Sequence, residues 1–243
     1  MLIVNADDWG KNRKSTDNSL SCLRSGMVTS VSAMVFMEDS ERAADLARAG
    51  SIDAGLHLNF TAPFTGAVRD GALVERQRRI AGFLRPQRLR RLVYHPALRQ
   101  DLDYVYGRQV EEFERLYGNP PSRIDGHHHM HLCANMLIDR VIPRGLRVRR
   151  NHSFFAGERT IFNRYYRKAV DAWLCRRNRC TDYFFRLLPI SQGDRIMRIM
   201  NLAGSSVVEL AVHPDGEEEY RYLMGEEYGK LIQGVTLVAH ADW

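Results

Sequence analysis

The sequence predicts an α/β fold, a mostly parallel sheet with crossover helices, closed into a barrel rather than laid out as an open doubly wound sheet. Two observations predict it. Strand-like and helix-like segments alternate along the chain, the pattern of parallel strands joined by helices. Asp7, Asp8, His57, His127 and His213 all follow predicted strands. Working residues of parallel α/β folds gather at the strands' C-terminal ends. A closed barrel brings such ends around one mouth, which an open sheet does less well.

The elements follow in order. Residues 1–6 read as an apolar strand that ends in Asn5-Ala6-Asp7-Asp8-Trp9-Gly10. Adjacent strand residues face opposite ways, so Asp7 and Asp8 share a site only where the strand gives way, and Gly10 permits a bend. A helix is expected over 16–25, then a β-branched strand over 28–36. Asp39 or Ser40 caps a helix over 41–49, and Gly50 ends it. Residues 52–58 form the next strand, with His57 and Asn59 on one face. Pro63, Gly66, Gly71 and Gly82 interrupt any long period in 60–100. That segment reads as a partly helical insertion, a lid over the site.

Residues 101–117 are an amphipathic helix, with Leu102, Val105, Val110, Phe113 and Leu116 near helical spacing and Gly118 after it. A strand enters at 124–127, a short helix follows at 136–142, and 146–149 is a further strand. Residues 151–190 are mixed, basic and aromatic, and carry no assignment. A helix over 194–203, a strong strand over 207–212, a helix over 217–232 and a last strand over 235–238 complete the chain, with His240 after it. No linker or internal repeat divides the 243 residues, so they read as a single domain.

Composition excludes several classes. The hydrophobic fraction of 44% supports a buried core and excludes a disordered chain. No run of apolar residues is long enough to span a bilayer. The start lacks the layout of a secretory signal. Cys22, Cys133, Cys175 and Cys180 form no CxxC pair and read as free thiols in a reducing cytoplasm. The net charge is +6, unevenly spread: 76–99 holds eight arginines and no acidic residue, and further basic stretches cover 140–150 and 159–179. These read first as solvated faces. They would also suit an anionic substrate or an anionic membrane surface. No nucleic-acid-binding signature accompanies them, so a nucleic-acid partner is not expected. Aromatics around Phe154, Tyr165 and Tyr183 offer a homodimer contact.

The densest chemistry lies in Ile124-Asp125-Gly126-His127-His128-His129-Met130-His131-Leu132, with four of the chain's nine histidines. In an extended segment Asp125, His127, His129 and His131 would share one face, with His128 and Met130 on the other. Three imidazoles and a carboxylate do not pack as ordinary core, because buried polar groups need partners. Imidazole is a common metal ligand, and a carboxylate can orient such a ring from behind. Spacing alone does not say which histidine binds metal. Two adjacent aspartates suit separate tasks, one holding a cation and one moving a proton.

Taken together, four segments resemble the YdjC-like carbohydrate deacetylase family. Asn5-Ala6-Asp7-Asp8-Trp9-Gly10 is similar to its opening NADDFG, with Trp for Phe. Gly55-Leu56-His57-Leu58-Asn59, the histidine-rich segment and Glu209-Leu210-Ala211-Val212-His213-Pro214 resemble its later motifs, in the family's order. Asp215 stands where the family has Gly, and the 60–100 segment is unusually basic. The resemblance implies an irregular (β/α) barrel of mostly parallel strands and one divalent cation; the family precedent includes Mg²⁺, while imidazole ligation favours Zn²⁺. It implies Asp8, His57 and His127 as ligands and Asp7 as general base. The expected reaction is removal of an N-acetyl group from an amino-sugar-containing saccharide or glycolipid. His213 is then the candidate acid for the departing amine. Asp125 would orient a histidine, and Asn59, His129 and His131 would touch substrate or support the ligands. The rival readings are a metal-dependent phosphoesterase or glycosidase on a similar barrel, and a non-enzymatic polyanion-binding module.

Overall fold

The computed structural model describes residues 1–190 and 193–243. Seven strands form one curled sheet: β1 (Leu2–Trp9), β2 (Ser30–Ala33), β3 (Ala54–Leu58), β4 (Arg123–Gly126), β5 (Arg147–Val148), β6 (Tyr183–Arg186) and β7 (Val208–Val212). Every pairing is parallel, in the order β5-β4-β3-β2-β1-β7-β6. Followed around the curl, the strands are therefore consecutive, with one seam between β5 and β6. The seam is stitched rather than laddered. Arg147 bridges Arg179, and the Ser153 N–H donates to the Phe184 carbonyl at 2.7 Å. This is the irregular barrel that the sequence predicts. All eight residues of β1 are buried, as befits a central parallel strand covered on both faces.

The connections are α1 (Arg13–Arg24), α2 (Ser40–Ala49), α3 (Gly71–Leu84), α4 (Arg99–Tyr117), α5 (Ala134–Ile138), α6 (Ile161–Cys175), α7 (Gly193–Ala203), α8 (Glu217–Leu223) and α9 (Glu226–Ile232). Local chemistry explains their ends. Asn12 accepts from the Ser15 N–H at 2.9 Å while Ser15 Oγ accepts from the Asn12 N–H at 3.3 Å, a reciprocal cap for α1. Gly118 closes α4 in the left-handed region, φ 80°.

Several expectations are corrected. Asp39 does precede α2, but its carboxylate takes Arg42 at 2.8 and 2.7 Å instead of a helix N–H. The left-handed residue after that helix is Ser51, φ 49°, not Gly50. The helix expected over 217–232 breaks at Met224-Gly225 into α8 and α9. The last expected strand, 235–238, is reduced to one bridge between Leu2 and Leu237. The unassigned stretch contains α6 and β6, whose mixed aromatic and basic residues hide both periods. In the 60–100 segment, α3 buries Leu73, Gln77, Ile80 and Leu84. Two arginines of that run are structural: Arg76 and Arg79 both pair with Asp101, at 3.0 and 2.8 Å.

One glycine of β3 is needed for a close approach. A Cβ at Gly55 would stand 2.6 Å from Arg123 Nε. Arg123 is buried and fastened to the Val31 carbonyl (2.6 Å), Asn5 Oδ1 (3.1 Å) and Asp53 (3.0 Å), so it cannot swing away. Gly55→Ala is expected to cost about 1–3 kcal/mol in urea-induced unfolding through overpacking alone. An unchanged midpoint would show that the guanidinium yields.

Candidate active site

The site is built at the C-terminal ends of β1, β3, β4 and β7, with one residue from just beyond β5. Pairing between β1 and β2 slips between Ala6 and Trp9, and Asp8 takes φ 65°. The bend expected after Asp8 therefore occurs at Asp8 itself, as a bulge inside the strand. It brings both consecutive carboxylates to one cavity, which a regular strand would forbid.

Asp8 Oδ1 lies 2.9 Å from His127 Nδ1 and 3.4 Å from His57 Nε2, and Oδ2 takes Lys11 at 2.8 Å. One ligand-type atom from each of Asp8, His57 and His127 falls within 4.8 Å of the others, and all three residues are buried. His57 and Asp125 are directly paired across β3 and β4, so their side chains meet: His57 Nδ1 donates to Asp125 Oδ1 at 2.7 Å. That bond sets the tautomer and turns Nε2 toward Asp8. Such a cluster of electron-rich atoms requires positive charge between them. Burial opposes charging His57, but Asp125 and Asp8 outweigh it and push its pKa up to about 10. Burial likewise raises the Asp8 carboxyl, and the two imidazoles pull it well below the usual range. A divalent cation meets the same demand, and one carboxylate with two imidazoles is a fitting donor set that leaves positions open. A second trio, Asp7, His57 and Asp125, also satisfies the spacing. Arg149 already occupies both of its carboxylates, so the first trio is the candidate metal centre.

Asp7 is gripped by Arg149, with NH1 to Oδ2 at 2.8 Å and NH2 to Oδ1 at 2.7 Å, and Asn5 Nδ2 adds a bond to Oδ1 at 2.8 Å. His213 Nε2 stands 3.8 Å from Asp7 Oδ2. The His213 backbone N–H donates to Glu219 Oε2 at 2.7 Å, which ties the loop after β7 to α8. Burial pushes the Glu219 carboxyl up. Asp7, Asp8, His57, His127 and His213 all line one cavity of about 870 Å³, together with Lys11, His128, His129 and His152.

The histidine-rich segment departs from its expected geometry. β4 ends at Gly126, and 127–132 is a 3-10 turn with His128 and His129 at φ 56° and 58°. Side chains therefore do not alternate, and the four residues expected on one face are separated. His127 joins Asp8. His128 Nδ1 meets Thr61 Oγ1 at 3.0 Å. His129 lines the cavity with its ring edge-on to His152, and its Nδ1 has no partner among the described residues. His131 turns away, its Nε2 donating to the Arg149 carbonyl at 2.9 Å. Burial lowers His131 to about 4, so that ring is neutral. Asn59 also stays outside the cavity lining. Its side chain accepts from the Thr61 and Ala62 N–H groups (3.2 and 2.9 Å) and donates to the Ala62 carbonyl (2.9 Å), shaping the loop after β3.

Arg149 is the functional residue that sequence reasoning missed. Its side chain is fully buried. Besides Asp7 it pairs with Asp125 at 2.8 Å and Glu209 at 2.7 Å and lies over the Phe184 ring. Burial would lower its pKa, but three carboxylates hold it well above the ordinary value. Burial acts to raise Glu209 too, and Arg149 brings it down to about 2. The signal was present, since Arg149 ends the predicted strand over 146–149. Its place in a basic run disguised it as surface.

The family model of the YdjC-like proteins matches residues 1–233. This chain belongs to the YdjC-like family. Among curated relatives, it is 34% identical over 138 residues to the chitooligosaccharide deacetylase of Proteus mirabilis, a match covering 54% of this chain and 50% of that one. It is 29% identical over 142 residues to the protein of the same name from Klebsiella pneumoniae, covering 56% and 52%. With that of Yersinia pestis the figures are 30% over 139 residues, 56% and 52%. The chain thus spans about half the length of the curated relatives it matches. A solved structure from Enterococcus faecalis V583, described as a candidate cellobiose-phosphate cleavage protein, superposes with a TM-score of 0.69 over 99% of this chain and 97% of that one, at 18% identity. At that identity the likeness establishes the YdjC-like chain's fold alone.

Proposed function

We propose that this YdjC-like protein is a metal-dependent amidohydrolase that removes an N-acetyl group from an amino-sugar-containing saccharide. The observation that carries the reading is the convergence, in one cavity, of a candidate cation site, a carboxylate and a free-edged imidazole. The naming of its relatives as chitooligosaccharide deacetylases supports it. Asp8, His57 and His127 would hold the cation. When bound, it supplies Lewis-acid activation of water and of the acyl carbonyl.

The remaining work falls to this chain's own groups. Asp7 accepts the proton of the attacking water through a carboxylate that Arg149 and Asn5 hold in one orientation. Water adds to the acetyl carbonyl, the C–N bond breaks, and His213 delivers a proton to the departing nitrogen, leaving acetate and a free amine. Asp125 orients His57. His129 lies against the substrate space. We further propose that the chain works as one domain with 60–100 placed at the mouth, where Arg85 and Arg91 line the cavity. Four free cysteines suit a reducing cytoplasm.

The test is acetate release from N-acetylglucosamine oligosaccharides, with chelator and with Mg²⁺ or Zn²⁺ restored. Turnover is expected to vanish on chelation and return with one of the two ions. A second reading, a phosphoesterase, draws on Arg85, Arg91 and Arg186 in the cavity wall. Release of phosphate but not acetate would favour it.

A further inference from the structure

Helix α6 is poorly buried for its composition. Of its fifteen residues only Asp171 and Leu174 are buried. Ile161, Phe162 and Tyr165 are 68%, 89% and 69% exposed. Isolated helices of this length are marginal in water, and most owe their stability to an apolar face packed on something. Here Leu174 and Trp173 pack on the core, while the apolar side chains of the first turns are turned outward. The surrounding charge is one-sided. Residues 159–179 hold seven basic side chains against one acidic, an excess equal to the formal net charge of the whole chain, +6.

The helix stands beside the mouth. Arg167 bonds Asn151 Oδ1 at 3.3 Å and covers the Phe154 ring at 5.2 Å. Phe154 and Arg159 line a groove of about 540 Å³ that shares His152, Arg186 and Leu188 with the catalytic cavity. The 3-10 turn Arg88–Leu92 places Arg91 in the cavity wall and leaves Leu89 exposed, with Val93 exposed just after it. The entrance thus carries exposed apolar side chains interleaved with arginine.

We propose that this face docks the protein on the surface of a bilayer containing anionic phospholipid, with the mouth toward the headgroups. Aromatic residues favour the headgroup level, arginine and lysine stems lie along apolar surface with their charges outward, and basic clusters are drawn to anionic leaflets. Such a helix lies in the interface plane and does not span it. No helix among the described residues is long and apolar enough to cross a membrane. A second copy is the poorer occupant, because it would set one basic cluster against another. The proposal does not depend on which bond the cavity cleaves.

Sedimentation of the full chain with vesicles tests it. Phosphatidylcholine vesicles carrying about 30% phosphatidylglycerol are expected to bind at least about tenfold more tightly than pure phosphatidylcholine. The pair Phe162→Ser with Tyr165→Ser is expected to lose at least tenfold of that binding. Both side chains are exposed, so its thermal melt and its turnover of a soluble substrate should match the parent. Arg164→Glu with Lys168→Glu should weaken binding further. Equal partition into both vesicles would overturn the proposal. So would binding that ignores the serine pair and follows salt alone, which is generic polyanion attraction. A dimer in light scattering that the serine pair dissolves, with no vesicle binding, would assign the face to a second copy instead.

Discussion

Asp7→Asn is expected to lower turnover by about 10²–10⁴, the range a positioned general base supplies, while the cation stays bound. Asparagine keeps the shape and can still accept from Arg149, so the fold should tolerate it. Asp8→Ala should behave differently. It removes the carboxylate shared by His57 and His127, and cation affinity should fall by more than the roughly 10–100-fold that loss of a merely supporting partner costs. Metal analysis after dialysis, alongside acetate release, separates the two. Two adjacent aspartates with identical losses of metal would mean that they do not divide the tasks. An Asp8→Ala protein with full metal content and full activity would place the cation elsewhere.

Replacing Arg149 is expected to be the most destabilising change in the molecule. Arg149→Met would leave Asp7, Asp125 and Glu209 buried without their common counter-charge. Removing one partner of a buried ion pair costs about 3–5 kcal/mol, and here one removal strands three carboxylates. Against a total stability of about 5–15 kcal/mol, much of the folded population is at stake. Urea unfolding of the soluble fraction measures it. Arg149→Lys retains the charge but cannot match the two-pronged grip on Asp7. It should fold, bind the cation and still turn over slowly. If Arg149→Met melts like the parent, the buried network contributes nothing to stability.

The legible parts of the site were those whose chemistry is local. A strand end carrying Asp7-Asp8, another carrying His57 and a third carrying His213 could each be read from a few neighbouring residues. Curling the parallel sheet then leaves little choice about where they meet. The 127–131 segment was misread because alternation assumes a strand that continues. Gly126 ends β4, and His131 packs where a side chain at Gly126 would stand, 3.0 Å from its ring. The chain turns there, and nothing in the spacing of the histidines announces it. Arg149 was hidden for another reason. A basic run looks the same whether its members face water or carboxylates, and the partners of Arg149 lie 24, 60 and 142 positions away, in β4, β7 and β1.

The amino-acid order by itself determined which groups are available for chemistry, most of the strands and helices that carry them, and the family to which they belong. Those follow from side-chain type and short-range periodicity. Tertiary structure decided the rest: which histidine faces Asp8, that Asp7 is clamped by an arginine from the far side of the sheet, and that α6 leaves its aromatic side uncovered. Each depends on burial and on charge compensation between residues distant in the chain, and neither is a property of any short stretch read alone.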